Sequence, residues 1–180
     1  MLLKFNKIVA VFLVLITFSS CDQDIAVIES YSYTPTPYQL NIPFGFPQPN
    51  IPNDNPMTEE GIELGKKLFY DPILSKDNSH SCASCHFQSK SFSDPNQFSI
   101  GVNGLAGDKN ASALINLAWN TSNFWDGRAI TLEEQALDPI TNEPELHTSW
   151  TEVVRKIKNK KEYRELFSMA FNTQNFDSIH

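Results

Sequence analysis

Ser81-Cys82-Ala83-Ser84-Cys85-His86 is the stretch that decides how this chain folds. It reads Cys-x-x-Cys-His, the attachment signature of a c-type haem. Residues three apart on a helix share a face, so Cys82 and Cys85 can hold one porphyrin edge through two thioethers. His86 follows directly, and its imidazole can reach beneath the ring as the proximal iron ligand. Other readings ask for more. A structural zinc site takes four ligands, yet the chain has no second cysteine pair, and His80, His147 and His180 are scattered. A thioredoxin-like redox pair sits in a βαβ pattern, and none surrounds this motif. A disulfide across so short a loop is uncommon. The predicted class is therefore mainly α: a cytochrome c-like domain with long loops around one covalently bound haem c.

The rest of the chain is read outward from that motif. Its 180 residues, 41% hydrophobic, suffice for one globular domain plus tails. A net charge of −7 argues against nucleic acid as a partner. Residues 1–20 read as a signal peptide: Lys4 and Lys7 supply a positive start, and Ile8 to Phe18 form an apolar run too short to span a bilayer comfortably. Ser19-Ser20-Cys21 resembles a bacterial lipoprotein cleavage box, which would make Cys21 an acylated membrane anchor. The alternatives are an ordinary secretory signal or a short membrane anchor. The lipoprotein reading assigns one cysteine to lipid and two to haem, and places the protein on the periplasmic side of a bacterial envelope.

Residues 21–56 form a tether and extended lead, since Pro35, Pro37, Pro43, Pro47, Pro49, Pro52 and Pro56 recur through them. Proline fixes φ and has no N–H to donate, so this segment is neither helix nor central strand. Tyr38, Leu40, Ile42, Phe44 and Phe46 are too apolar for a pure linker, and that part is expected to lie against the domain.

The domain spans 57–180. Thr58 can cap a helix with Glu59 and Glu60 in its first turn and Ile62, Leu64, Leu68 and Phe69 on its apolar side, ended by Asp71-Pro72. Ala111 to Ala118 reads as a short buried helix. Thr131 to Glu134 is a capping box, which accounts for Glu134 without a catalytic role, and its helix is expected to stop at Asp138-Pro139. Amphipathic helices follow over Trp150 to Lys158 and Tyr163 to Phe171, and Asn172 to His180 looks like the start of another element.

Three features near the motif carry two readings each. Ile100 to Gly107 holds three of the seven glycines, either a loop folded over one haem face or an ordinary surface turn. Arg128 is the one arginine before residue 155, either a clamp for a haem propionate or an ion-pair partner of Asp126. Trp125 is either an electron relay or a core side chain.

Leu64 to Pro72, Ser81 to His86, Phe124 to Arg128 and Leu132 to Pro139, taken in order, resemble the bacterial dihaem cytochrome c peroxidase family. They are also similar to the related dihaem enzymes that mature methylamine dehydrogenase. The resemblance covers about Ile42 to Phe171 and implies an N-terminal, peroxidatic haem domain, with a second haem domain missing from this chain. It implies His86 as proximal ligand, and Gln135 and Glu145 on the distal side where hydrogen peroxide binds. It implies Trp125 between two haems, and Asn110 as one ligand of a calcium ion at the domain junction. Electrons would come from a small donor protein of cytochrome or cupredoxin type. Val102 stands where many family members carry an iron-capping histidine, which implies an open axial side.

Peroxide cleavage needs a group that removes a proton and returns it to the leaving oxygen, work for a carboxylate. Glu145 is the candidate; Gln135 can orient peroxide but cannot shuttle protons. The competing class is a monohaem electron carrier, whose iron would take Met57, Met169 or His147 as a sixth ligand. A sensor module is a third, but it would need a fused output domain.

Overall fold

The structure is a computed structural model and describes residues 33–173. The signal-peptide and Cys21 anchor expectations lie outside those residues, as does most of the stretch after Asn172.

Helix α1, Glu59–Tyr70, starts where Thr58 Oγ1 accepts the Gly61 N–H at 3.0 Å. It stops at Asp71, because the residue before a proline is pushed out of the helical region. The Asp71 side chain then accepts the Ile73 N–H at 2.8 Å and caps a 3₁₀ turn over Pro72–Leu74. Three more helices follow: α2 over Leu132–Thr141, α3 over Trp150–Lys158 and α4 over Lys161–Phe171. Among the described residues there is no strand, and pairing is confined to isolated bridges. The class is mainly α.

Helices α1, α3 and α4 pack into one layer. Leu64, Ile73 and Leu74 meet Val153 and Ile157 of α3, Tyr163, Leu166 and Ala170 of α4, and Ile140 and Leu146. The Tyr163 hydroxyl donates to Asp71 at 2.7 Å and ties the buried start of α4 to the end of α1.

Residues 75–131, by contrast, are almost all loop. Single antiparallel bridges close three of these loops at their necks: Phe87 to Ser93, Ile100 to Ala106 and Asn123 to Ala129. Besides Val102 and Ala129, the side chains buried in this stretch are polar, namely Ser75, Ser81, Asp94 and Asn123, and each needs a partner. The helical layer therefore supplies the apolar stability, and a hydrogen-bonded loop layer on it builds the site.

Two expectations need correction. Residues 111–116 form no helix; Asn116 takes a left-handed φ of 54°, and only a 3₁₀ turn over Leu117–Trp119 follows. Nor is the segment buried, with Ile115 exposed. Short apolar runs do not distinguish a core helix from a wall strand or loop. The second correction is at α2, which runs through Pro139 to Thr141. Proline removes only the bond to the Gln135 carbonyl, while the Asn142 N–H still reaches the Asp138 carbonyl at 3.1 Å.

Residues 33–56 lie extended along the domain. The Tyr38 N–H donates to the Met57 carbonyl at 3.0 Å, and Trp119 Nε1–H to the Pro47 carbonyl at 2.8 Å. Glu60 stands in the first turn of α1 as expected from the sequence, and it is buried there. It accepts the Tyr33 hydroxyl at 2.5 Å, the Thr36 N–H at 2.8 Å and the Thr36 hydroxyl at 2.9 Å. The Tyr33 bond above all holds its carboxyl down at about 2, against an ordinary 4.5. A carboxyl depressed in the folded state stabilises it above its unfolded pKa, and that stabilisation fades as pH falls toward the folded value. Lowering pH from 4.5 to about 2 should release residues 33–38. Faster amide exchange at Thr36 in that window, absent in Glu60→Gln (whose exchange is pH-independent once the intrinsic rate is divided out), checks this.

Candidate haem site

The motif folds as one tight turn rather than a helix. A 3₁₀ turn spans Cys82–Ser84, and the His86 N–H reaches the Cys82 carbonyl at 3.0 Å. Ser81 and Ser84 close it as a capping pair, with the Ser81 N–H donating to Ser84 Oγ at 3.1 Å. One turn suffices, because three-residue spacing brings Cys82 and Cys85 to the same side in either geometry. Both cysteines are half-buried and unpaired. Burial pushes both thiols up, so they are neutral thiols rather than reactive thiolates.

His86 is oriented from behind. A carbonyl can only accept, so His86 Nδ1 carries the proton in its 2.7 Å bond to the Phe92 carbonyl. Nε2 is thereby left with its lone pair, the state an iron ligand needs. Placing that carbonyl requires left-handed backbone at both Ser91 and Phe92, with φ of 57° and 58°. The Phe92 N–H bond to the Phe87 carbonyl at 2.9 Å helps hold it there. Phe69 of α1 stacks edge-on against Phe92, its ring 5.8 Å away, and 6.4 Å from the His86 ring.

Cys85 and His86 open into a cleft of about 250 Å³. Asn110, Trp125, Arg128, Gln135 and Glu145 line the same cleft. The residues singled out from sequence, spread over more than sixty positions, are thus brought to one place, with Cys82 in the adjoining turn. This donor set fits a c-type haem: two neutral thiols three apart, one imidazole with a free Nε2, and an adjoining cleft. It does not fit zinc, since among the described residues no three His, Cys, Asp or Glu side chains could hold a metal ion together.

Glu145 is half-buried, and one carboxylate oxygen accepts the Asn142 Nδ2–H at 2.7 Å. Burial pushes its carboxyl up, opposed in part by that bond. Gln135 sits one α2 turn before Pro139. Arg128 bonds Asp126 at 3.1 Å and Asp138 at 2.6 Å, with its guanidinium 3.5 Å above the Phe124 ring. The ion-pair alternative is therefore realised, and Asp138 extends it beyond Asp126. Any haem carboxylate would meet an already paired guanidinium. Trp125 is 66% exposed at the cleft, not core, and its Nε1–H donates to the Asn110 carbonyl at 2.8 Å. The Asn110 amide N–H groups donate to the Asp94 and Asn96 carbonyls at 3.1 and 2.7 Å, so this side chain pins the loop behind His86.

Asp94 does not line the cleft but holds Ser99, which does; this support was not legible, because Ser93-Asp94-Pro95 reads as a plain turn. It is 7% exposed and accepts from Ser99 Oγ at 2.7 Å and from Asn96 at 2.8 and 3.0 Å. Burial pushes its carboxyl up, but those bonds outweigh this and hold it below the ordinary range. Val102 lies outside the cleft wall, 1% exposed, its N–H bonded to the Glu145 carbonyl at 2.9 Å.

Residues 59–180 match the family described as di-haem cytochrome c peroxidase. The chain is 42% identical over 123 residues to the methylamine utilization protein MauG of Methylorubrum extorquens, covering 68% of this chain and 35% of that one. It is 37% identical over 130 residues to the cytochrome c peroxidase Ccp of Escherichia coli, covering 69% of this chain and 28% of that one. A crystal structure of a MauG-like protein associated with microbial copper homeostasis superposes with a TM-score of 0.70 and 35% identity, over 75% of this chain and 40% of that one. The chain therefore spans well under half the length of these relatives.

Proposed function

The chain belongs to the di-haem cytochrome c peroxidase family, and on that premise we propose that it carries the peroxide-reducing haem site of such an enzyme. The reaction takes hydrogen peroxide, two protons and two electrons to two waters. When bound, the haem iron supplies the Lewis-acidic, redox-active centre at which the O–O bond is split.

The chain's own residues do the rest. Cys82 and Cys85 hold the haem, and His86 ligates through Nε2. The Nδ1–H bond to Phe92 makes that nitrogen a better donor. Gln135 orients peroxide through its amide. Glu145 takes a proton from one peroxide oxygen and returns it to the other, which leaves as water. Its raised pKa suits both halves of that exchange, and its bond from Asn142 keeps the carboxylate aimed. Trp125, exposed beside the cleft, is where electrons would enter, from a second haem unit or a small cytochrome or cupredoxin donor. A calcium ion bound by the Asn110 side-chain oxygen would displace the Ser93 hydroxyl, which that oxygen accepts at 3.4 Å. We place the protein at the periplasmic side of a bacterial envelope, from the apolar run and Cys21 at its start. Among the described residues no helix is long and apolar enough to cross a membrane.

One observation carries the peroxidase over the electron carrier. The described residues lining the cleft include Glu145 and Gln135, but no methionine and no histidine besides His86. Met57 lines a separate groove, Met169 packs against the core, and His147 Nδ1 sits 3.3 Å from the Glu143 carbonyl. The visible spectrum of the ferric haem protein tests this. High-spin haem whose Soret band shifts on adding peroxide is expected. A low-spin, six-coordinate spectrum inert to peroxide would overturn the proposal.

A further inference from the structure

We propose that Gly101 is a positioning residue for Glu145, and that the backbone of residues 101–102 sets where the distal carboxylate stands. This deepens the peroxidase reading and rests on it. Gly101 has φ of −95° and ψ of −167°, extended backbone that any residue adopts, so conformation does not call for glycine. Space does. A Cβ at Gly101 would lie 2.2 Å from the Pro144 carbonyl oxygen and 2.6 Å from that of Glu145. Both are main-chain atoms, which cannot rotate aside as a side-chain end could.

The surrounding bonds leave little slack. The Val102 N–H donates to the Glu145 carbonyl at 2.9 Å, directly after the close approach. On its own side, Gly101 is held by its N–H bond to the Leu105 carbonyl at 2.9 Å, inside a loop closed by the Ile100–Ala106 bridge. On the other side, the Glu145 N–H donates to the Asn142 carbonyl at 3.1 Å, and the Leu146 carbonyl accepts the Lys76 N–H at 2.9 Å. The Glu145 main chain is thus held between the glycine loop and the segment leading to the haem motif. Ordinary contact begins near 3.4 Å, so a methyl group at Gly101 drives the 144–145 main chain back by roughly 1 Å, enough to cost on the order of 10²-fold at a reacting centre. It would also pull the carboxylate off its Asn142 bond.

The test uses the full chain with haem attached and follows a single reaction of the ferric protein with peroxide. Gly101→Ala is expected to slow that reaction at least about tenfold while haem content and the ligand-free Soret band stay unchanged. Amide exchange at Val102 should quicken in the same variant. In a Glu145→Gln background, Gly101→Ala should cost no further rate, because two residues acting through one group are not additive. Val102→Pro provides an independent route. It replaces the Val102 N–H donor with a ring carbon facing the Glu145 carbonyl, at the first position of a short 3₁₀ turn after an extended residue, so the same main chain must give way from a second direction. It is expected to show the same loss, also absent in Glu145→Gln. An unchanged rate in haem-loaded Gly101→Ala, or independent losses that multiply in the double variant, would overturn the positioning role. A full rate in Glu145→Gln alone would instead remove the parent reading, and the positioning role with it.

Discussion

Glu145→Gln is expected to slow the reaction with peroxide by about 10²–10⁴-fold, the usual cost of losing one general acid–base group. Haem attachment and the ferric spectrum should not change, because Glu145 makes no bond to the Cys82–His86 turn. The amide keeps the shape and can still face Asn142, but it cannot accept and return a proton. The pH profile sharpens the result. Burial raises the Glu145 pKa, and the proton-accepting form is the carboxylate. The rate in the unsubstituted protein should therefore rise with pH through a midpoint above the ordinary glutamate value, and Glu145→Gln should flatten that limb. Stopped-flow measurement from acid to neutral pH reads both effects. Wild-type turnover in the variant would remove Glu145 from the chemistry.

The second large effect is at the attachment turn. Replacing Cys82 and Cys85 together with serine should abolish covalent haem altogether, leaving no added haem mass after denaturation. Each cysteine alone should leave a single thioether and a shifted haem absorption band. The distinction from a merely structural thiol is sharp, because neither cysteine is in a disulfide whose loss could unfold the domain. His86→Ala should behave differently, keeping the covalent mass but losing the proximal ligand. Intact-mass spectrometry with the visible spectrum separates these outcomes. An unchanged haem mass in the double serine variant would refute the attachment assignment.

Much of this was legible in the residues themselves. The cap at Thr58, the stop at Asp71-Pro72, the capping box at Thr131 and the span Trp150–Lys158 are all local. Each depends on side chains within one turn of the backbone they bond, and the structure reproduces them. Local rules misled where a segment's partners lie far away. Residues 111–118 are apolar enough for a core helix, yet part of them lines a cleft made by remote loops. Glu60 stands in a first turn as local rules have it, but they do not show the lead segment more than twenty residues earlier that encloses it.

The sequence by itself determined the cofactor chemistry and the helical class, because a three-residue cysteine spacing and an adjacent histidine act within a single turn. Only the tertiary structure decided which groups share the cleft. It set Glu145 beside His86, matched Arg128 with two aspartates, gave Asp94 its burial and pressed Gly101 against the Glu145 main chain. Burial, proton affinity and close approach are properties of space shared between distant segments. No window of neighbouring residues contains them.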